Sequence, residues 1–115
     1  MINNSRLGRR RSQRVTLRIP IVISEPQSDQ HASVERTHTL SVSRCGGLIA
    51  LSSSVNHGQN LLLTHTISRV STECRVVYLG PPHQDKQQVG IEFVDPAANF
   101  WNISFPAPDT KAILD

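Results

Sequence analysis

Arg14-Val15-Thr16-Leu17-Arg18-Ile19-Pro20-Ile21-Val22-Ile23-Ser24 alternates with a period of two. Val15, Leu17, Ile19, Ile21 and Ile23 fall on one side, and Thr16, Arg18, Pro20, Val22 and Ser24 on the other. Successive side chains of an extended chain point to opposite faces, so the stretch predicts a strand with one buried face. Pro20 has no N–H to give to a ladder, which implies a sheet edge or a bulge at that position. Immediately upstream lies Arg9-Arg10-Arg11-Ser12-Gln13-Arg14. Residues 1–18 hold six of the twelve basic side chains (Arg6, Arg9, Arg10, Arg11, Arg14 and Arg18), and no Asp or Glu occurs before Glu25. A cationic arm running into a β-structure is built to hold an anion against a rigid surface. Arginine sharpens that expectation, because its planar guanidinium grips phosphate through paired hydrogen bonds and stacks on aromatic faces.

Downstream, residues 25–33 are polar and loop-like. A second strand is predicted over 34–43, with Val34, Leu40 and Val42 in phase. Arg44-Cys45-Gly46-Gly47 supplies turn chemistry, since consecutive glycines permit positive φ. Residues 48–51 form a short third strand, 52–58 a loop and 59–64 a fourth strand. The fifth covers 72–79, with Cys74, Val76 and Tyr78 on one face, and Gly80-Pro81-Pro82 stops it. The sixth covers 88–94 and puts Val89, Ile91 and Phe93 together. Six short strands joined by glycine- and proline-rich turns predict an all-β fold, a six-stranded antiparallel barrel. Closure removes the edges that invite aggregation. Asp95-Pro96-Ala97-Ala98 reads as a helix start, with a capping Asp and Pro at the first helical position. Phe100, Trp101, Ile103 and Phe105 then form a short helical segment that plugs one end of the barrel. The chain of 115 residues supports one domain: a leader over 1–8, the barrel over 9–105 and a C-terminal tail over 106–115.

Charged residues make up 18% of the chain and the formal net charge is only +3, so the basicity is local and not that of a general polyelectrolyte binder. Aromatics are 4% and none interleaves with the arginines, which argues against a strand-binding nucleic-acid barrel. Cys45 and Cys74 are too few for a disulfide framework; both sit in apolar surroundings and are expected to act as small hydrophobes. The five histidines are scattered without metal-ligand spacing and are expected at the surface. No run approaches the roughly 18 apolar residues of a membrane span. No apolar segment follows the N-terminal arginines as in an export signal, so the expectation is a cytoplasmic protein without a membrane partner. No nucleophile–base pair, paired carboxylates or phosphate-loop glycines stand out, which predicts a non-enzyme with no catalytic residues, no metal and no cofactor.

Arg9, Arg10 and Arg14 match an Arg-Arg-x-x-x-Arg pattern just before a first strand, and Ser43 and Gly46 match a [D/N]-x-S-x-x-G pattern between the second and third strands. In these motifs, in the run Arg14-Val15-Thr16-Leu17-Arg18-Ile19-Pro20 and in Val89-Gly90-Ile91-Glu92-Phe93, the chain resembles the PilZ domain family over roughly residues 9–95. The resemblance implies a six-stranded barrel that binds cyclic di-GMP, with Arg9, Arg10, Arg14, Ser41, Ser43, Gly46 and Gly47 as the ligand-binding candidates. It also implies a protein partner, unidentified, that reads the occupied state. The chemistry suits the ligand: an arginine fork matches guanine O6 and N7 as well as phosphate oxygens, and a guanidinium stacks on a guanine face.

Ser41 departs from the family's Asp or Asn. A serine hydroxyl satisfies fewer guanine donors than a carboxylate, and losing a good bidentate contact costs about 1–3 kcal/mol, roughly 5- to 150-fold in affinity. Weak to moderate binding is therefore expected. The alternative is a degenerate PilZ-like module that binds another protein and ignores the nucleotide.

Overall fold

The computed structural model describes residues 14–26, 34–95 and 99–105. Six antiparallel strands, β1 (Pro20–Ser24), β2 (Val34–Ser43), β3 (Gly46–Leu51), β4 (Asn60–His65), β5 (Ser71–His83) and β6 (Lys86–Phe93), close into a barrel in the order β1-β2-β3-β6-β5-β4. Alternation sends one side chain in two inward. Ile21 and Ile23, Ile49 and Leu51, Leu61 and Leu63, Cys74 and Val76, and Val89, Ile91 and Phe93 make up most of the core. Each large aliphatic side chain removed from water contributes about 1.5–3 kcal/mol before the entropy of ordering is counted.

The predicted fold class stands, with local departures. The first strand's ladder begins at Pro20 and not at Val15; Val15 makes an isolated antiparallel bridge to Val42. Pro20 is the first residue of β1, where its missing N–H disrupts nothing. On β2 the register shifts between Thr39 and Ser41, so the inward residue is Thr39 and not Leu40. The same thing happens on β5. A shift between Val76 and Tyr78 leaves Cys74 and Val76 buried while Tyr78 turns out, 51% exposed, its ring lying close over Gly80 and Gly90.

Gly80-Pro81-Pro82 does not stop β5, which runs on to His83. A second register shift falls between Leu79 and Pro82, and the β4 ladder has already ended at Asn60↔Arg75. The prolines sit where the strand has one neighbour, so their missing N–H groups cost no ladder bond.

One barrel end gathers the start of β1, the β2–β3 turn, the end of β4 and the end of β6. Phe100 and Trp101 pack there against Phe93 and His65. The plug is formed as expected, but residues 99–101 are a turn and not a helix, and no helix occurs among the described residues. The predicted helix start at Pro96 to Ala98, the leader and the tail lie outside the described residues. His65 corrects the surface expectation for histidines. It is buried, its Nδ1 accepting the N–H groups of Ile67 (3.2 Å) and Ser68 (3.4 Å) while its ring rests against the plug. Cys45 is exposed, contrary to expectation, whereas Cys74 is buried and its thiol pKa is pushed up to about 12 by desolvation, with the nearby Glu73 charge adding to the shift.

The opposite end is polar. Glu35, paired with the inward Ile23, accepts the N–H groups of Ser52 (2.8 Å) and Ser53 (3.0 Å) and the Ser53 hydroxyl (2.8 Å), with the Lys86 ammonium at 3.6 Å. Burial would raise its pKa. The Ser52 and Ser53 hydrogen bonds and the Lys86 charge outweigh that and hold the carboxyl below its ordinary value. A depressed folded-state pKa gives stability that is present above the unfolded value and lost as pH falls through the folded one. Glu35→Gln is expected to destabilise the protein at neutral pH, with the gap to wild type closing below the ordinary glutamate value of 4.5. Urea unfolding at about pH 7 and about pH 3 checks this; a gap of equal size at both contradicts it.

Candidate functional site

The β2–β3 turn is the fixed part of the site. Ser43 pairs with Gly46, Val42 with Gly47 and Ser41 with Leu48, which leaves a two-residue connection of Arg44 and Cys45. The Ser43 Oγ accepts the Cys45 N–H (3.2 Å), a local bond by which a serine hydroxyl stabilises a turn. Accepting there leaves the hydroxyl's own proton available to donate. From below, the Trp101 indole N–H is shared between the carbonyls of Ser43 and Gly46, at 3.0 Å each, and the Phe93 N–H donates to the Cys45 carbonyl at 2.7 Å. Arg44 donates to the Phe105 carbonyl at 3.3 Å. A turn tied at this many points presents a preorganised wall.

The glycines serve a different purpose from the one their sequence suggests. Neither Gly46 nor Gly47 adopts positive φ. A Cβ on Gly46 would sit 2.0 Å from the Ile91 carbonyl oxygen, and one on Gly47 would sit 2.8 Å from the Ser41 carbonyl oxygen and 3.4 Å from the Trp101 ring. Both are needed for close approach of backbone to backbone and not for a left-handed turn.

The arm reaches this turn through one bridge. The Val15 N–H donates to the Val42 carbonyl (2.8 Å) and the Val42 N–H to the Val15 carbonyl (2.9 Å). Such a pair sets the facing residues on either side, so Arg14 comes opposite Ser43 and Thr16 opposite Ser41. Val42 is buried and Val15 packs against the core, while Arg14 is exposed. Arg14, Ser41, Ser43, Gly46 and Gly47 therefore lie on three adjacent chain segments. Arg9 and Arg10 lie outside the described residues. Ser41 is half-buried and Ser43 buried.

His38, paired with Pro20, has its pKa lowered, first by burial and then by the charges of Arg18, Lys86 and His83. Among the described residues no group of three or more His, Cys, Asp or Glu is placed to hold a metal ion, and no helix is long and apolar enough to cross a membrane.

Sequence reasoning missed Thr39, which ties the arm to β2, and the role of Trp101 beneath the turn. The signal for Trp101 was present: a buried indole must find an acceptor for its N–H. For Thr39 none was, because its phase depends on a bulge.

No protein-family profile and no curated protein match the sequence. In three dimensions the chain is similar to the Bacillus subtilis inhibitor of motility, MotI/DgrA, with a TM-score of 0.63 and 20% sequence identity. The likeness covers 82% of this chain and 46% of that one, so the present chain spans less than half the length of its structural neighbour. The shared feature is the fold.

Proposed function

We propose that this chain is a non-catalytic regulatory module that binds cyclic di-GMP between its arginine arm and the Ser43–Gly46 turn. The single observation that supports the reading is the Val15–Val42 bridge, which sets Arg14 alongside the turn that carries the second half of the motif. Arg14, with Arg9 and Arg10 before it, supplies forked donors for phosphate oxygens and for guanine O6 and N7, and Ser43 supplies a hydroxyl proton. Occupancy changes the surface around the turn, and the altered surface is read by a protein partner in the cytoplasm. A regulatory role agrees with the name of the structural neighbour, an inhibitor of motility. The second reading, a module that binds a protein and no nucleotide, is favoured by one residue: Ser41 stands where a carboxylate or amide would accept guanine donors.

Titration calorimetry separates the two. Arg10→Ala and Arg14→Ala are each expected to weaken binding about 5- to 150-fold, and Arg18→Ala by far less, because two of the three guanidinium groups belong to a site and the third adds only to net charge. Equal losses for all three would mean diffuse attraction and would reject the site.

A further inference from the structure

Between the β1–β2 ladder and the arm's bridge the two chains do not advance in step. From Pro20↔His38 to Val15↔Val42, five residue steps on the arm side face four on β2. One extra residue must be absorbed, as in a β-bulge. Thr39 lies in this gap, 0% exposed. Its N–H donates to the Ile19 carbonyl (3.0 Å), its Oγ1 accepts the Ile19 N–H (2.9 Å), and the same hydroxyl donates to the Leu17 carbonyl. A side chain thus supplies both a donor and an acceptor where the regular ladder has none to offer.

We infer that Thr39 sets the register of the arginine arm on β2 and is thereby the positioning residue for Arg14. Without its hydroxyl, the Leu17 carbonyl and Ile19 N–H lose the partners that fix the offset between the segments. A slip of one residue exchanges faces, turning Val15 outward and Arg14 toward the core. The binding half of this inference rests on the cyclic di-GMP reading; the register half does not.

Thr39→Val keeps the side chain's shape and removes the hydroxyl, while Thr39→Ser keeps the hydroxyl. In the full chain, Thr39→Val is expected to speed amide hydrogen exchange at Val15 and Val42 by about tenfold or more relative to Leu63 and Val89, and Thr39→Ser is not. Cyclic di-GMP affinity should fall about 5- to 30-fold in the valine variant and stay within about threefold of wild type in the serine variant. A rise in exchange that is uniform across the four amides, or absent at Val15 and Val42, overturns the register role. Wild-type affinity in a valine variant whose bridge has loosened overturns the positioning role. If the wild-type chain takes up no nucleotide, the functional reading falls, and exchange alone decides whether Thr39 sets the register.

Discussion

Gly46→Ala is expected to destabilise the barrel by roughly 3 kcal/mol or more, a fall of about 10–20 °C in Tm. The added methyl would lie 2.0 Å from the Ile91 carbonyl oxygen and 2.9 Å from the Glu92 Cα, both backbone atoms of the neighbouring strand. No rotamer change relieves a clash with backbone; β3 and β6 must part at the point where Gly46↔Glu92 and Gly47↔Ile91 pair. Gly58→Ala is the contrasting case. Gly58 holds φ at 89° with nothing near its missing Cβ, so alanine there meets only backbone strain, about 1 kcal/mol. Thermal unfolding followed by circular dichroism compares the two. If Gly46→Ala is as mild as Gly58→Ala, the close strand approach described above is wrong.

Trp101→Ala is expected to cost about 3–5 kcal/mol, the range for deleting a buried aromatic. Trp101 is 1% exposed and packs against Phe93, Phe100 and His65. Its N–H also serves two carbonyls, those of Ser43 and Gly46, so truncation leaves both ends of the candidate turn without that donor. Trp101→Phe isolates this second contribution: most of the packing remains, and the expected loss is about 1–3 kcal/mol. Urea unfolding measured by far-ultraviolet circular dichroism distinguishes the pair. Equal losses for alanine and phenylalanine would mean that the indole N–H, and not the ring's bulk, dominates; a phenylalanine variant as stable as wild type would mean that the turn does not depend on the bond.

The barrel was legible because period-two alternation is a direct consequence of extended backbone, and it survives wherever the ladder is regular. β2 was bounded to the residue, and Val89, Ile91 and Phe93 face inward as their spacing requires. The errors cluster at register shifts. Leu40 and Tyr78 carry the right chemistry for the core and sit in the right phase on paper, yet Leu40 lies within a register shift and Tyr78 follows one, and each shift reverses which side is inside. Pro81 and Pro82 look like terminators until it is known that β5 has outrun β4. His65 looked like a surface residue because sequence does not reveal that its turn offers two N–H groups to Nδ1.

At the candidate site, the serines and glycines were named from their motif, and the arm from its charge. What sequence does not convey is the reason for each. Gly46 reads as a turn residue and proves to be a point of contact between strands. Thr39 carries no such signal and proves to be the joint between β2 and the chain leading into β1.

The most direct test of the central claim is a calorimetric titration of the wild-type chain with cyclic di-GMP, run beside its adenine counterpart. The account predicts saturable heat with a Kd of roughly 1–100 μM and weaker binding of the adenine compound, because adenine N6 is a donor where guanine O6 accepts. No heat from cyclic di-GMP at ligand concentrations near ~1 mM, or equal binding of the two dinucleotides, would contradict it.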